Sequence, residues 1–297
     1  MENQDIFSAW EIGINWEVLE RIIGGIGEIA RQVQMPVYLS RLRSIEELRS
    51  EAGRYYHAIN QGFIAADEDQ MRWLLGRDEL RDAIDGFVFR LTLDASPWAT
   101  IGTAAELAGS MGVNASVHLR MCGANPAEEA TDDSSAANRI AEAMMASAAW
   151  DNVSVYSDTF ADIDRGYFVR NGVLDRLYNP RLGFHVLRHL NAALNTCTEK
   201  LTAGPRGGAS DLGFLTLNSS RTVYALVAPS NASSGLISVP LPEELSSAAV
   251  RLSRVNLENG VIMAEPTTVT SGQVSVSFEG TQRAPVLLIF ESVKRDC

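Results

Sequence analysis

Cysteine is scarce in this chain of 297 residues: Cys122, Cys197 and Cys297 are odd in number and far apart. Such a set supplies neither a disulfide framework nor a Cys-x-x-Cys metal spacing. Basic charge is also in deficit. Lys and Arg total 25 against 37 Asp and Glu, for a formal net charge of −12 and a pI near 4.8. That balance opposes binding to nucleic acid and to anionic membrane surfaces. No apolar run approaches the roughly 20 residues of a membrane span. The start, MENQDIFSAW, lacks the charged and apolar regions of a signal peptide, so the expected location is cytoplasmic. The run Gly24-Gly25-Ile26-Gly27 falls inside a helical pattern rather than between strand and helix, so it is no phosphate loop, and no cofactor is expected.

What is present is an alternation of strand and helix signals. Residues 6–11, 37–40, 87–93, 114–121 and 153–158 read as strands. Val18, Leu19, Ile22, Ile23, Ile26, Ile29, Ala30 and Val33 recur at helical spacing, although Gly24 and Gly25 each weaken that helix by roughly 1 kcal/mol. Ser44 and Glu47 form a capping box, and residues 100–111 and 134–150 are helices rich in small residues. The stretch 55–81 is the least regular and reads as a partly helical insertion. Asn179-Pro180 opens a last helix with the stripe Leu182, Val186, Leu190 and Leu194.

Five strands alternating with helices imply a parallel sheet. In the last three strands one face is apolar: Phe87, Phe89 and Leu91, then Val117, Leu119 and Met121, then Val153 and Val155. The other face carries Arg90, Thr92 and Asp94, then Ser116, His118 and Arg120, then Ser154, Tyr156 and Asp158. An open doubly wound sheet buries both strand faces and shows continuous apolar runs. A barrel turns one face inward and places its active site at the C-terminal ends of its strands. The expectation is an α/β fold, a partial TIM-type β/α barrel of about five βα units over residues 1–202. Residues 203–213 are rich in Gly and Pro and read as a linker. Short β-runs follow at 214–217, 222–227, 236–239, 250–255, 261–264, 273–278 and 286–290, which predicts a small antiparallel β-sandwich over 214–297.

A β/α barrel whose last strand leads into GVLDRLYNPRLGFHVLRHLNAAL, with a β-sandwich behind it, resembles the large barrel clan of glycoside hydrolases. That clan includes β-galactosidases, β-glucuronidases and arabinofuranosidases. Gly172-Val173-Leu174-Asp175-Arg176 and Asn179-Pro180-Arg181 fit the layout that precedes its last helix. SAWEIGINWEV resembles its fourth strand, which ends in a Gly-Asn-Glu step carrying the acid/base. Here Ile14 splits Gly13 from Asn15, and Trp16 follows. The clan's nucleophile is a Glu ending the seventh strand; here that strand ends in Arg120-Met121-Cys122, with Glu128 and Glu129 in the loop beyond. If 153–158 is the eighth strand, three βα units are missing. A half barrel leaves a sheet edge and core open. That implies a piece of a longer protein, a homo-oligomer, or a second chain that completes the barrel.

The resemblance implies carbohydrate as substrate and a pair of carboxylates flanking a glycosidic bond. Glu11 and Asp158 are the candidates, each inward at a C-terminal strand end. Arg90, Asp94, His118, Arg120, Tyr156, Asp162 and Arg165 are candidates for substrate binding, with an acidic sugar suited to the arginines. Each has a plainer role open to it. The arginines can pair with Asp94, Asp158 or Asp162, Asp94 can start the Ala95-Ser96-Pro97 turn, and His118 can be a hydrogen-bonded core histidine. Two other readings stay open: a non-catalytic carbohydrate-binding or structural subunit, and a lyase or aldolase using Arg90, His118 and Asp94 on an anionic substrate.

Overall fold

The computed structural model describes residues 16–39, 68–91, 93, 95–121, 132–157, 160–164, 168–169, 172–209, 212–228, 235–246, 249–278 and 283–293. The expected strand over 6–11 and the Ser44 and Glu47 capping box lie outside these residues. The chain forms two compact units. One is Met1–Ala130 with Asn152–Asp158 and Asp164–Val169; the other is Thr131–Asp151 with Thr159–Ile163 and Arg170–Cys297. The architecture is a partial TIM-type β/α barrel with an antiparallel sandwich. No described helix is long and apolar enough to cross a membrane.

The first unit holds helix α1 (Trp16–Gln32), strand β1 (Tyr38–Leu39), helices α2 (Glu68–Leu75) and α3 (Asp78–Arg81), strand β2 (Gly86–Leu91), helix α4 (Pro97–Ser110), and strands β3 (Asn114–Leu119) and β4 (Val153–Ser157). The four strands run parallel in the order β1-β2-β3-β4, the expected sequence order. Phe87, Phe89, Leu91, Ala115, Val117 and Leu119 are buried on one face of the sheet. Helix α4 packs on β2, β3 and β4. It offers Ile101 together with Ala104, Ala105 and Ala108, and the small alanines let helix and sheet approach closely. The helix begins at Pro97, three residues before the expected start. Ser96 is its N-cap, accepting from the Ala99 N–H at 3.4 Å, and Pro97 fits the first turn.

The glycines of α1 divide into two kinds. A Cβ at Gly24 or Gly25 would meet nothing within 4 Å. One at Gly27 would lie 2.5 Å from the Ala83 Cβ and 2.9 Å from its Cα, so only glycine lets the helix seat on the turn after α3. Gly86 is tighter still: its Cβ would fall 2.2 Å from the Asn114 carbonyl oxygen, its partner in β3.

The second unit holds helices α5 (Asp133–Ala148) and α6 (Leu182–Leu194), which pack on one another, and the sandwich. Asp132 caps α5, accepting from Ser134 and Ser135 N–H groups, both at 2.9 Å. In α6, Leu182, Val186 and Leu190 are buried, each contributing roughly 1.5–3 kcal/mol. The helix starts at Leu182 rather than at Asn179-Pro180, because those residues belong to a turn closed by Asp175. Between the two helices in the chain come β4 and two short strands, β5 (Ile163–Asp164) and β6 (Phe168–Val169), of which β6 belongs to the first unit.

All seven expected β-runs are strands: β9 (Leu212–Asn218), β10 (Thr222–Val227), β11 (Gly235–Pro240), β12 (Val250–Asn256), β13 (Ile262–Glu265), β15 (Gln273–Phe278) and β16 (Val286–Ser292). Three short strands join them, β7 (Thr202–Ala203), β8 (Gly207–Ala209) and β14 (Val269–Thr270), with a single helical turn, α7 (Glu243–Ser246). One sheet runs β13-β12-β16-β10-β9-β7 with β8 paired to β9; the other runs β11-β15-β14. Val223, Ala225, Val227, Ile237, Val276, Leu288 and Phe290 fill the space between them. Leu217, Tyr224, Leu226 and Leu287 alternate with that set and are also buried. Helix α5 packs on β9 and β10, which accounts for strands buried on both faces. Burial pushes the Tyr224 phenol up to about 12. The stretch 203–213 has a linker's composition, yet β7 and β8 pair with β9 there. Two of its glycines answer contacts: Cβ atoms at Gly204 and Gly207 would strike Thr216 at 2.4 Å and the Phe214 ring at 2.7 Å.

Two substitutions in one helix test this packing. Gly24→Ala is expected to raise unfolding free energy by up to ~1 kcal/mol, through helix propensity alone. Gly27→Ala is expected to lower it by about 1–3 kcal/mol, through overpacking against Ala83. Urea unfolding midpoints of the two variants should move in opposite directions; a common direction would refute the contact.

Candidate functional site

Parallel pairing sets the polar face of the first unit. Arg90, His118 and Tyr156 are Cα partners across β2, β3 and β4, and so share a face. One step toward the strand starts, Val88, Ser116 and Ser154 form the next row, where the Ser154 hydroxyl donates to Ser116 Oγ at 3.4 Å. The rings of His118 and Tyr156 lie 4.8 Å apart with planes 2° from parallel. That distance is the spacing of neighbouring strands, so register alone brings the two rings into a stack.

Burial is graded along the row. Arg90 is buried at 8% exposure, His118 is half-buried, and Tyr156 is 43% exposed. Arg120 follows β3, and its backbone N–H donates to the Leu91 carbonyl at 3.2 Å. By parity its side chain shares the face of His118. Arg90, His118, Arg120 and Tyr156 each have at least one further interaction, so none is an isolated charge or dipole. The structure thus brings together Arg90, His118 and Tyr156, with Arg120 next along. Glu11, Asp94, Asp158 and Arg165 lie outside the described residues. The described part of β4 ends at Ser157, one position before Asp158. Among the described residues no group of His, Cys, Asp and Glu is placed to hold a metal ion.

Asp162 belongs to the second unit. It accepts from the Gly172 N–H at 2.9 Å and forms an ion pair with Arg181, which also reaches Asp133 at 3.5 Å. Asp162 is nearly buried, so Arg181 meets a desolvated carboxylate rather than a surface one. Arg181 was visible in the sequence only as a Pro-Arg step; no local spacing links it to a carboxylate 19 residues away. Beyond Gly172 the chain turns about Asp175, whose carboxylate accepts from the N–H groups of Leu177 at 2.7 Å and Asn179 at 2.8 Å, and from the Asn179 side chain at 2.9 Å. Tyr178, at φ +63°, sits exposed on that turn.

No protein-family model matches the chain, and no curated protein matches it in sequence. Solved structures do. The chain is similar to Xyn30A, a glycoside hydrolase family 30 subfamily 8 xylanase from Clostridium acetobutylicum, with a TM-score of 0.53 at 9% identity, over 92% of this chain and 72% of that one. It is similar to a family 30 endoxylanase from Clostridium papyrosolvens C71, with a TM-score of 0.50 at 8% identity, over 93% of this chain and 70% of that one. A family 39 glycoside hydrolase from Bacteroides cellulosilyticus WH2 superimposes more loosely, at a TM-score of 0.43 and 14% identity, and the chain spans 45% of its length. The first two matches are likenesses of fold.

The Asp175 turn gives a pH test. The Asn179 side chain first, and then the Asn179 N–H, hold the Asp175 carboxyl below its ordinary value of 3.8. A carboxyl whose folded pKa is depressed supports the turn above its unfolded value and releases it as pH falls through the folded value. The amide protons of Leu177 and Asn179 are therefore expected to shift together in NMR titrations, with a common midpoint below 3.8. Separate midpoints, or one above that value, would contradict the turn.

Proposed function

We propose that this chain is a glycoside hydrolase acting on a polysaccharide of the xylan type, with the polar face of β2, β3 and β4 as the floor of its sugar site. The observation that carries the reading is the in-register row of Arg90, His118 and Tyr156, backed by the Ser116 and Ser154 hydroxyls. Guanidinium, imidazole, phenol and hydroxyls in one plane offer donors and acceptors to sugar hydroxyls, and Tyr156 offers an aromatic surface. The fold likeness to two xylanases supports the same direction.

In this reading Glu11 and Asp158 flank the glycosidic bond, one protonating the leaving oxygen and the other acting as base or nucleophile. Arg90 and Arg120 anchor the sugar, by forked hydrogen bonds to hydroxyls or to the carboxylate of an acidic residue. Asp94 and Arg165 orient it, while Asp162 holds the chain segment after β4 through Arg181. The remaining barrel units come from a longer protein of which this chain is a piece, from a homo-oligomer, or from a second chain. The alternative reading is a non-catalytic carbohydrate-binding or structural subunit, in which the same polar face holds sugar without cleaving it.

Turnover of soluble xylan and aryl glycosides separates the two. In an active chain, Asp158→Asn and Glu11→Gln are each expected to lower kcat about a hundredfold or more, with KM nearly unchanged. Tyr156→Ala is expected chiefly to raise KM. Undiminished kcat in both carboxylate variants would overturn the pair, and xylan binding without turnover in the parent chain would establish the binding subunit instead.

A further inference from the structure

At one end of the sandwich, where β10 and β12 begin and β16 ends, the surface forms an open cavity of about 450 Å³. This size lies within the range of small-molecule sites. Its walls include Ser220, Arg221, Arg251, Glu291 and Ser292, with Glu244 contributed by α7. Arg251 and Glu291 are Cα partners on adjacent strands, and the guanidinium donates to the carboxylate at 3.2 and 2.5 Å. That pair satisfies itself and forms a fixed wall. Arg221 and Glu244 differ: among the described residues, the guanidinium of the first and the carboxylate of the second make no hydrogen bond or ion pair. The charge of Arg221 reaches Glu199 only weakly; that carboxyl is held low first by the Ser220 hydroxyl, with Arg221 the least of the causes.

The cavity therefore presents two cations and two anions, and a ligand of either charge meets as much repulsion as attraction. It also presents a strong donor and a strong acceptor with capacity to spare. Vicinal hydroxyls suit that combination, because each both accepts and donates. One hydroxyl can accept from Arg221 while its neighbour donates to Glu244. We propose that this cavity is a second carbohydrate-binding site, taking a neutral sugar unit of a polysaccharide and holding the chain to the sandwich. The polysaccharide's identity as xylan rests on the function proposed above; the neutral polyhydroxyl chemistry of the site does not.

Full-length chain would be run by affinity electrophoresis in gels containing soluble xylan, and titrated with xylotetraose by calorimetry. The set comprises the parent, Arg221→Ala, the isosteric Glu244→Gln, and Arg206→Ala as an exposed control outside the cavity. Arg221→Ala and Glu244→Gln are each expected to weaken binding about tenfold, the loss of a hydrogen bond to a charged group. Arg206→Ala should bind as the parent does, and all four should cleave an aryl xyloside at one rate. Parent-like binding in both cavity variants, or no binding by the parent, would overturn the site. Binding that depends on Arg221 in a chain that cleaves no glycoside would uphold the site and refute the hydrolase reading.

Discussion

The register between β2, β3 and β4 is the constraint on which the row of Arg90, His118 and Tyr156 depends. Side chains alternate across a strand with period two, so a slip of one residue in any strand exchanges its faces. Such a slip would bring Phe89, Val117 or Val155 into the polar row and drive Arg90, His118 or Tyr156 toward the helix. Burial on the opposite face opposes it. Phe87, Phe89, Leu91, Val117 and Leu119 are nearly inaccessible to water, and each would forfeit roughly 1.5–3 kcal/mol on exposure. Gly86 adds a steric check, since a side chain there cannot coexist with the Asn114 carbonyl. The polar row is thus positioned largely by apolar contacts on the other side of the sheet.

This division explains what was legible in the sequence. Period-two alternation is a local signal, and it placed Arg90, His118 and Tyr156 on one face before any pairing was known. The seven β-runs of the sandwich were legible for the same reason, with turn residues between them. Partner choice over long separations leaves no such local trace. The ion pair of Arg181 with Asp162 could not be read, nor the packing of α5 on β9 and β10. Composition misdirected in one place. Glycine and proline over 203–213 have the look of a flexible connector, but Gly204 and Gly207 are small because Thr216 and Phe214 occupy the space a side chain would need.

Charge is organised against the chain's own average. The protein carries a net charge of −12, yet the sheet face that ends in Arg120 also holds Arg90, both with partners in place. In the sandwich the same balance is struck locally, cation beside anion, as Arg251 with Glu291 and Arg254 with Glu265.

The allegiance of α5 and α6 bears on how such a protein can be divided. Both helices belong to the compact unit that contains the sandwich, and α5 covers a layer of Leu217, Tyr224 and Leu226. Cutting the chain after α6 would bare that layer on one fragment and the inner faces of the helices on the other. The unit that contains the sandwich therefore does not begin with its first strand: a fragment meant to keep this packing must carry both helices along with the strands.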